Sequence, residues 1–278
     1  MANITEEMTK IYVFADDYLK KHAKLAHWRR SANQRPEFTD AEVITIGLMQ
    51  SVLGVTTLKK AYQQIRDNYQ DAFPKLCSYQ QWIARLHKLS DIIGHLVEAA
   101  RQTDGFAYSL YLIDSKPIPV CKPIRHWTTR LLREAGAYFG KTSKGWFFGF
   151  KLHTLCNIDG HIVGAVLTPA NYHDREAALA LALAADGGIT LGDCVYGGEE
   201  TCESLAQEAE LLMITRKAMP EQKALISSVR QNIETFLGQL CHLFIDLVYS
   251  RSWLGLWTTI KLKLLAYNLS HAGFICLD

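Results

Sequence analysis

The sequence predicts an α/β protein, a mixed five-stranded sheet flanked by helices and preceded by an all-helical N-terminal domain. Three observations carry that expectation. Residues 1–105 repeat apolar side chains at three- and four-residue spacing behind helix-capping signals. From Phe106 the pattern changes to short apolar runs of strand length. A hairpin signal is then followed by strands and helices in alternation, which implies a mixed sheet with helices against its faces. The expected division is 1–105 and 106–278.

In the first domain, Ile4–Ala26 is a moderately periodic helix that ends in a basic run, Lys20, Lys21, Lys24, Arg29 and Arg30, with Trp28 inside it. That run reads either as a solvated face or as a phosphate contact. Thr39-Asp-Ala-Glu42 is a capping box, and the helix behind it should reach Leu53, where Gly54 breaks it. A second helix, Thr57–Tyr69, follows after a gap of helix-turn-helix length, a spacing many compact helical domains share. Ser78-Tyr-Gln-Gln81 is another capping box. It opens one long helix in which Trp82, Ile83, Leu86, Leu89, Ile93, Leu96 and Val97 line a single face.

In the second domain, Tyr108–Ser115 (YSLYLIDS) is apolar on both parities, as a central strand requires, and it stops on Asp114. Asp114 either sits at the rim of a sheet as a metal ligand or begins a turn with Ser115, Pro117 and Pro119. A Pro- and Arg-rich excursion, Lys116–Lys144, comes next. Trp146–Thr154 and His161–Thr168 are two strands joined by a turn with Asp159-Gly160 at its tip, which discounts Asp159 as a catalyst. Asp174 reads as the N-cap of a helix running to Ala185. Gly188–Gly192 is a fourth strand and also ends on an acid, Asp193. A helix, Glu199–Glu210, and a fifth strand, Leu211–Thr215, follow. The next helix, Ala224–Phe244, has Val229, Ile233, Phe236, Leu240 and Phe244 on its apolar face and Arg230 and Glu234 on an adjacent stripe. The last forty residues are apolar and helical, with Lys261 and Lys263 read as snorkelling.

The composition, 278 residues with 49% hydrophobic and 21% charged, is that of a soluble protein. The longest uncharged run, Val43–Leu58, is shorter than a membrane span, and the N-terminus lacks the basic start and apolar core of a signal peptide. A cytosolic location is expected. Seven scattered cysteines without a CxxC pair argue against a zinc site or a disulfide framework and read as small buried thiols. Net charge is only +2, but residues 107–150 hold seven Lys/Arg against two Asp/Glu, and residues 151–278 hold nine against fourteen. The basic excursion (Lys116, Lys122, Arg125, Arg130, Arg133, Lys141 and Lys144, with Trp127 and Trp146 interleaved) suits a phosphate backbone.

Three carboxylates, two at strand ends and one on a late helix, can hold a pair of Mg²⁺ ions for in-line phosphoryl displacement. Asp114 would be the shared ligand, with Asp193 from a neighbouring strand and Glu234 from a helix packed nearby. There is no G-x-S-x-G for a serine hydrolase and no Gly-rich phosphate loop for a kinase or P-loop enzyme.

Four stretches carry a resemblance: LIDSKPIPVCKPIR at Leu112–Arg125, GWFFGFKLH at Gly145–His153, LGDCVY at Leu191–Tyr196 and RQNIETFLGQL at Arg230–Leu240. Together they resemble bacterial insertion-sequence transposases of the DDE type, which have a ribonuclease H-like catalytic domain. The resemblance assigns the three acids to Asp114, Asp193 and Glu234. It implies Mg²⁺ as cofactor, two ions with Mn²⁺ as a substitute. The implied reaction is hydrolysis at an element's end followed by attack of the freed 3′ hydroxyl on target DNA. Its implied partners are double-stranded DNA, both the terminal inverted repeats and the target, and a second copy of the chain, since two ends must be brought together. A cytoplasmic, nucleoid-associated setting follows. Arg230 matches a basic position of the third motif, as a phosphate contact or an ion pair with Glu234. Lys151 matches the strand motif as a DNA contact, and His153 matches it too, as a polar residue satisfied within the sheet or as part of the site. Three positions depart from the family pattern: Val195 where Gly is frequent, Ser227 where a Tyr stands and Cys241 where a Lys stands. Val195 keeps open a DNA-binding relative without catalysis. A structure-selective nuclease on the same fold is a further alternative.

Overall fold

The computed structural model describes residues 3–25, 36–101, 110–185, 187–215, 223–247 and 249–277, with the backbone alone of Leu25, 223–226 and Arg230. Trp28, Arg29 and Arg30, the start of the YSLYLIDS stretch and the boundary expected near Gly105 lie outside the described residues. The chain divides into two compact units, one of Met1–Thr103 with Leu254–Asp278, the other of Asp104–Trp253.

In the helical unit, α1 (Ile4–Lys21) is capped by Asn3. Helix α2 (Asp40–Val52) opens on a complete capping box: Thr39 Oγ1 accepts from the Glu42 amide and the Glu42 carboxylate accepts from the Thr39 amide. Both orphan donors are thereby satisfied, and all of α2 except Glu42 is buried. Helix α3 (Leu58–Asn68) is capped by Thr57 and buries only Ala61, Tyr62 and Ile65. The second capping box, at Ser78, starts α4 (Tyr79–Lys88). The long helix expected from Ser78 is two: a single turn residue, Leu89 (φ −88°, ψ 4°), separates α4 from α5 (Ser90–Arg101). The apolar period runs on through the bend unchanged, because Trp82, Leu86, Leu89, Ile93 and Leu96 all remain in one core.

The second unit is a six-stranded mixed sheet in the order β2-β3-β1-β5-β6, with β4 paired to β3. Its strands are β1 (Leu110–Cys121), β2 (Tyr138–Thr142), β3 (Gly145–Asn157), β4 (Ile162–Pro169), β5 (Gly188–Gly192) and β6 (Leu211–Thr215). The long β3 pairs antiparallel with β1 along one edge; along the other it pairs with β2 through residues 145–149 and with β4 through 150–156. β5 lies parallel to both β1 and β6. With β2 set aside as an added strand, β4-β3-β1-β5-β6 is the mixed, helix-flanked sheet of a ribonuclease H-like fold. The added strand lies inside the stretch that the sequence reads as an irregular excursion.

β1 also runs further than its sequence suggests. Asp114 does not end the strand; β1 continues through Pro117 and Pro119 to Cys121, still paired with β3. The prolines share a parity, so both missing N–H groups fall on the edge away from β3, and that edge has already lost its β5 partner after Leu112. The parallel pairing with β5 ends two residues before Asp114, at Leu112.

One face of this sheet is covered by α6 (Asp174–Ala182) and α7 (Glu199–Ala209), which bury Ala178, Leu181 and Leu205 against Tyr111, Ile113, Leu155 and Met213. Helix α8 (Lys223–His242) packs against β1 and β5. Its buried Ile233, Leu237 and Leu240 are no part of that cluster, which puts α8 on the opposite face.

The last helix, α9 (Trp253–His271), belongs to the helical unit, whereas the sequence division ran the second domain on to residue 278. Leu262, Leu265, Ala266 and Leu269 join the core of α1–α5. Gly47 of α2 makes room for this: a Cβ there would meet Leu262 at 3.1 Å and Leu86 at 3.2 Å. The two lysines expected to snorkel do otherwise. Lys261 donates to the Ser90 carbonyl at the α4–α5 bend (3.0 Å) and pairs with Asp91, and Lys263 is buried. Of the seven free cysteines only Cys156 is buried; five are half-buried and Cys276 is exposed.

Candidate active site

The register of β1 and β5 positions the first two acids. Leu112 is paired with Leu191, the last rung of that ladder, so the register carried two residues on sets Asp114 of β1 level with Asp193, the residue after β5. Strands lie about 4.8 Å apart. Alternation sends Ile113 and Gly192 to the α6–α7 face and the flanking Asp114 and Asp193 to the α8 face. Gly192 permits the close approach: a Cβ there would lie 2.8 Å from Ile113 Cγ2 and 3.3 Å from Met213 Sδ.

The two carboxylates are held alike. Asp114 Oδ1 accepts from the Ser115 amide and Asp193 Oδ1 from the Cys194 amide, each at 2.7 Å. Each bond ties a carboxylate to its own backbone and limits its rotation. Across from Asp114 on β3 is Thr154, and on the same face Cys156 lies opposite Leu112. Burial, with the Asp114 charge adding to it, pushes the Cys156 thiol up to about 12, so it is an inert core thiol.

Glu234 is on α8, the helix packed on the two strands that carry the aspartates, and its side chain is exposed. Among the described residues, no three His, Cys, Asp or Glu side chains converge as a metal site. The donor chemistry nonetheless fits a hard divalent cation: two level carboxylates on adjacent strands, all oxygen and no sulfur or imidazole. The side chain of Arg230 lies outside the described residues.

Of the predicted DNA contacts, Lys116 is half-buried on the same face of β1 as Asp114. Lys122, Arg125, Arg130, Arg133 and Lys144 are exposed, the first four in the turns between β1 and β2 and Lys144 in the β2–β3 turn. Arg133 donates to the His126 carbonyl. Aromatic rings brace this region. His126 sits against Trp127 (4.1 Å between centroids) and Phe139 (4.4 Å), and Phe139 against Trp146 and Phe148. Trp127 and Trp146 are 81% and 62% exposed, with Lys141 over the Trp146 ring. Lys151 is different: its Nζ donates to Asp174 Oδ1 and to the Tyr172 carbonyl, each at 2.6 Å.

That ion pair belongs to a polar cluster on the α6–α7 face that the sequence does not announce. Asp174 is the first residue of α6 and not its N-cap, which is His173. Its second oxygen accepts from Ser115 Oγ at 3.2 Å. His153 is buried between Tyr196 and Thr168, and burial lowers its pKa to about 4. Tyr196 is buried as well. Burial first, then the Asp174 and Asp114 charges, raise its phenol above the ordinary range. Val195, the main departure from the family pattern, is 52% exposed and is not among the residues with positive φ. A β-branched residue therefore fits there without backbone strain, and the Asp193–Cys194 bond is intact beside it.

A family model described as a transposase DDE domain matches residues 104–245, just over half of the chain and nearly all of the sheet unit. The chain belongs to this DDE transposase family. No curated protein and no solved structure matches it. Family membership makes it a nucleic-acid-processing enzyme whose relatives generally use divalent metals. Among the described residues no helix is long and apolar enough to cross a membrane.

Proposed function

We propose that this protein cleaves DNA at the ends of a mobile element and joins the freed 3′ ends to target DNA, with Asp114, Asp193 and Glu234 holding two Mg²⁺ ions, Mn²⁺ substituting. What supports the reading is the β1–β5 register, which carried past Leu112–Leu191 brings Asp114 level with Asp193, together with α8, the helix that packs against both strands and carries Glu234. Divalent cations held there supply Lewis-acid activation and neutralise charge on the phosphoryl group in transfer. The protein's own share is positional. Backbone amides orient the two aspartates, and Glu234 comes from the covering helix. Lys116 and Arg230 lie near enough in sequence to the acids to bind the phosphates flanking the scissile bond.

The exposed set Lys122, Arg125, Arg130, Arg133 and Lys144, with Trp127 and Trp146, takes the DNA backbone beyond the cut. Lys151 is left out of that set because Asp174 engages it. In the helical unit, α3 turns Lys59, Lys60, Gln63 and Arg66 to solvent, the composition of a helix that reads a groove. The working form is a homodimer, one copy for each end, in the cytoplasm at the nucleoid. The reading without catalysis rested on Val195, and the absence of a positive φ there speaks against a disturbed backbone beside Asp193. Joining activity separates a transposase from a nuclease.

The test is cleavage of a labelled terminal-repeat duplex in Mg²⁺ by Glu234→Gln beside Arg125→Glu/Arg130→Glu. Glu234→Gln should bind the end and fail to cut it. The double charge reversal should bind more weakly, with a shallower salt dependence. Full cleavage by Glu234→Gln removes Glu234 from the site.

A further inference from the structure

On the α8 face of the sheet Asp114 has a neighbour that the phosphoryl-transfer reading does not use. Thr154 of β3 is its cross-strand partner, and paired residues of an antiparallel ladder carry their side chains on the same face. Their β-carbons are then about 4.5–5.5 Å apart. Thr154 is fully buried, yet its hydroxyl has no hydrogen-bond partner among the described residues. Its other neighbours on that face explain why. β4 sets Ala165 beside it, and two positions away along β3 stand Leu152 and Cys156, the latter with a thiol that bonds only weakly. Of these four neighbouring side chains only Asp114 carries a strong acceptor.

A buried hydroxyl without a partner is destabilising, and folded proteins keep few of them. Staggered rotation about its Cα–Cβ bond changes where the Thr154 hydroxyl points. We propose that Thr154 is a positioning residue for Asp114: its hydroxyl donates to the Asp114 carboxylate when that carboxylate holds a cation. The proposal rests on the reading of Asp114 as a cation ligand. Carboxylates that ligate metals are themselves held by hydrogen bonds of this kind. The unmet hydroxyl raises the free energy of the protein without the cation, and the bond formed on loading recovers it. One group therefore lowers stability and adds affinity. Thr190 is a comparison within the same sheet. Its hydroxyl is also buried with no partner among the described residues, but it stands on β5 opposite Tyr111, on the α6–α7 face and away from the carboxylates.

The experiment is Mn²⁺ binding to the full chain without DNA, by calorimetry, for wild type, Thr154→Val, Thr154→Ser, Thr190→Val and Asp114→Asn. The melting temperature without metal is measured alongside. Valine keeps the shape of threonine and puts a methyl in place of the hydroxyl. Groups that orient metal ligands alter affinity by roughly 10–100-fold, so Thr154→Val should weaken Mn²⁺ binding by about tenfold or more. Its melting temperature without metal should stay at or rise above that of the wild type, because the hydroxyl it loses was unmet. Thr154→Ser, which keeps the hydroxyl, and Thr190→Val, which removes one on the other face, should both bind Mn²⁺ like the wild type. Wild-type affinity in Thr154→Val overturns the proposal, and so does weakening by Thr154→Ser or Thr190→Val equal to that by Thr154→Val. A lowered melting temperature of Thr154→Val without metal also overturns it, since the hydroxyl would then be bonded within the protein already. Should Thr154→Val not fold, Thr154→Ala is read for affinity alone. Mn²⁺ binding by Asp114→Asn at wild-type strength, or none by the wild type, overturns the cation reading itself, and the role given to Thr154 with it.

Discussion

Gly192→Ala is the smallest change that presses directly on the site. The added Cβ would lie 2.8 Å from Ile113 Cγ2, 3.3 Å from Met213 Sδ and 3.4 Å from Tyr196 Cβ. Carbon atoms in good contact are about 3.5–4.0 Å apart, so roughly 0.7 Å must be found. The Met213 thioether can swing aside, but Cγ2 is fixed to the β-carbon of a buried strand residue. The strain therefore separates β5 from β1 next to Asp193 and Asp114, which follow Gly192 and Ile113 in the chain. Overpacking of this kind costs about 1–3 kcal/mol. A displacement near 1 Å at reacting groups can cost on the order of 100-fold in rate. Gly192→Ala should thus lose about 1–3 kcal/mol of sheet-unit stability by urea titration and about 10–100-fold in metal-dependent cleavage. The partner substitution Ile113→Ala removes Cγ2 and should cost about 2–5 kcal/mol alone. In that background Gly192→Ala should cost less than about 1 kcal/mol, a coupling of about 1–2 kcal/mol. Equal costs in both backgrounds, or an undiminished cleavage rate, would refute the idea that this contact sets the spacing of the acids.

Two further outcomes are expected. Deletion of residues 254–278 removes Leu262, Leu265, Leu269 and Ile275 from the helical core. At about 1.5–3 kcal/mol for each buried side chain the loss matches the whole stability of a domain. Residues 1–103 should then be degraded in limited proteolysis while a fragment close to 104–253 survives; a protease-resistant N-terminal fragment contradicts the placement of α9. His153 gives a pH signature. Its folded pKa is near 4 against 6.5 for the free side chain, lowered by burial and by Lys151 and raised in part by Asp174, with the neutral Tyr196 hydroxyl and Thr168 as its direct partners. The unfolded chain takes the proton first, so this contribution is full above about pH 6.5 and is lost as pH falls towards 4, by up to roughly 3 kcal/mol. His153→Gln should flatten the fall in stability across that window; an unchanged slope rules out His153 as its source.

What could be read in the sequence was whatever local chemistry decides. The capping boxes at Thr39 and Ser78, the Asp159-Gly160 turn and the strands Gly188–Gly192 and Leu211–Thr215 are set by neighbours within a few residues, and they appear as expected. The features that escaped depend on partners far along the chain. Prolines look like strand breakers until the absence of β5 beside Pro117 and Pro119 makes their missing N–H groups harmless. β2 is a strand because β3 offers it an edge; its own residues sit in a basic, aromatic-rich stretch. α9 reads as a continuation of the sheet domain, and its apolar residues are claimed by helices more than 150 positions earlier. Asp174 has the sequence position of a cap and the three-dimensional position of an ion-pair partner. In the site, the motifs draw the eye to Asp114, Asp193, Glu234, Lys151 and His153. The buried Tyr196 and its hydrogen bond with His153 emerge only when β3, β4 and the turn after β5 are brought together.

The central claim is that Asp114 serves catalysis by holding a cation. It is tested most directly by Mg²⁺-dependent joining of a terminal-repeat oligonucleotide to a plasmid, wild type beside Asp114→Asn. The account predicts joined product from the wild type alone, with end binding equal in both proteins. Joining by Asp114→Asn at the wild-type rate, or end-specific binding by the wild type with no cleavage in either Mg²⁺ or Mn²⁺, would contradict it.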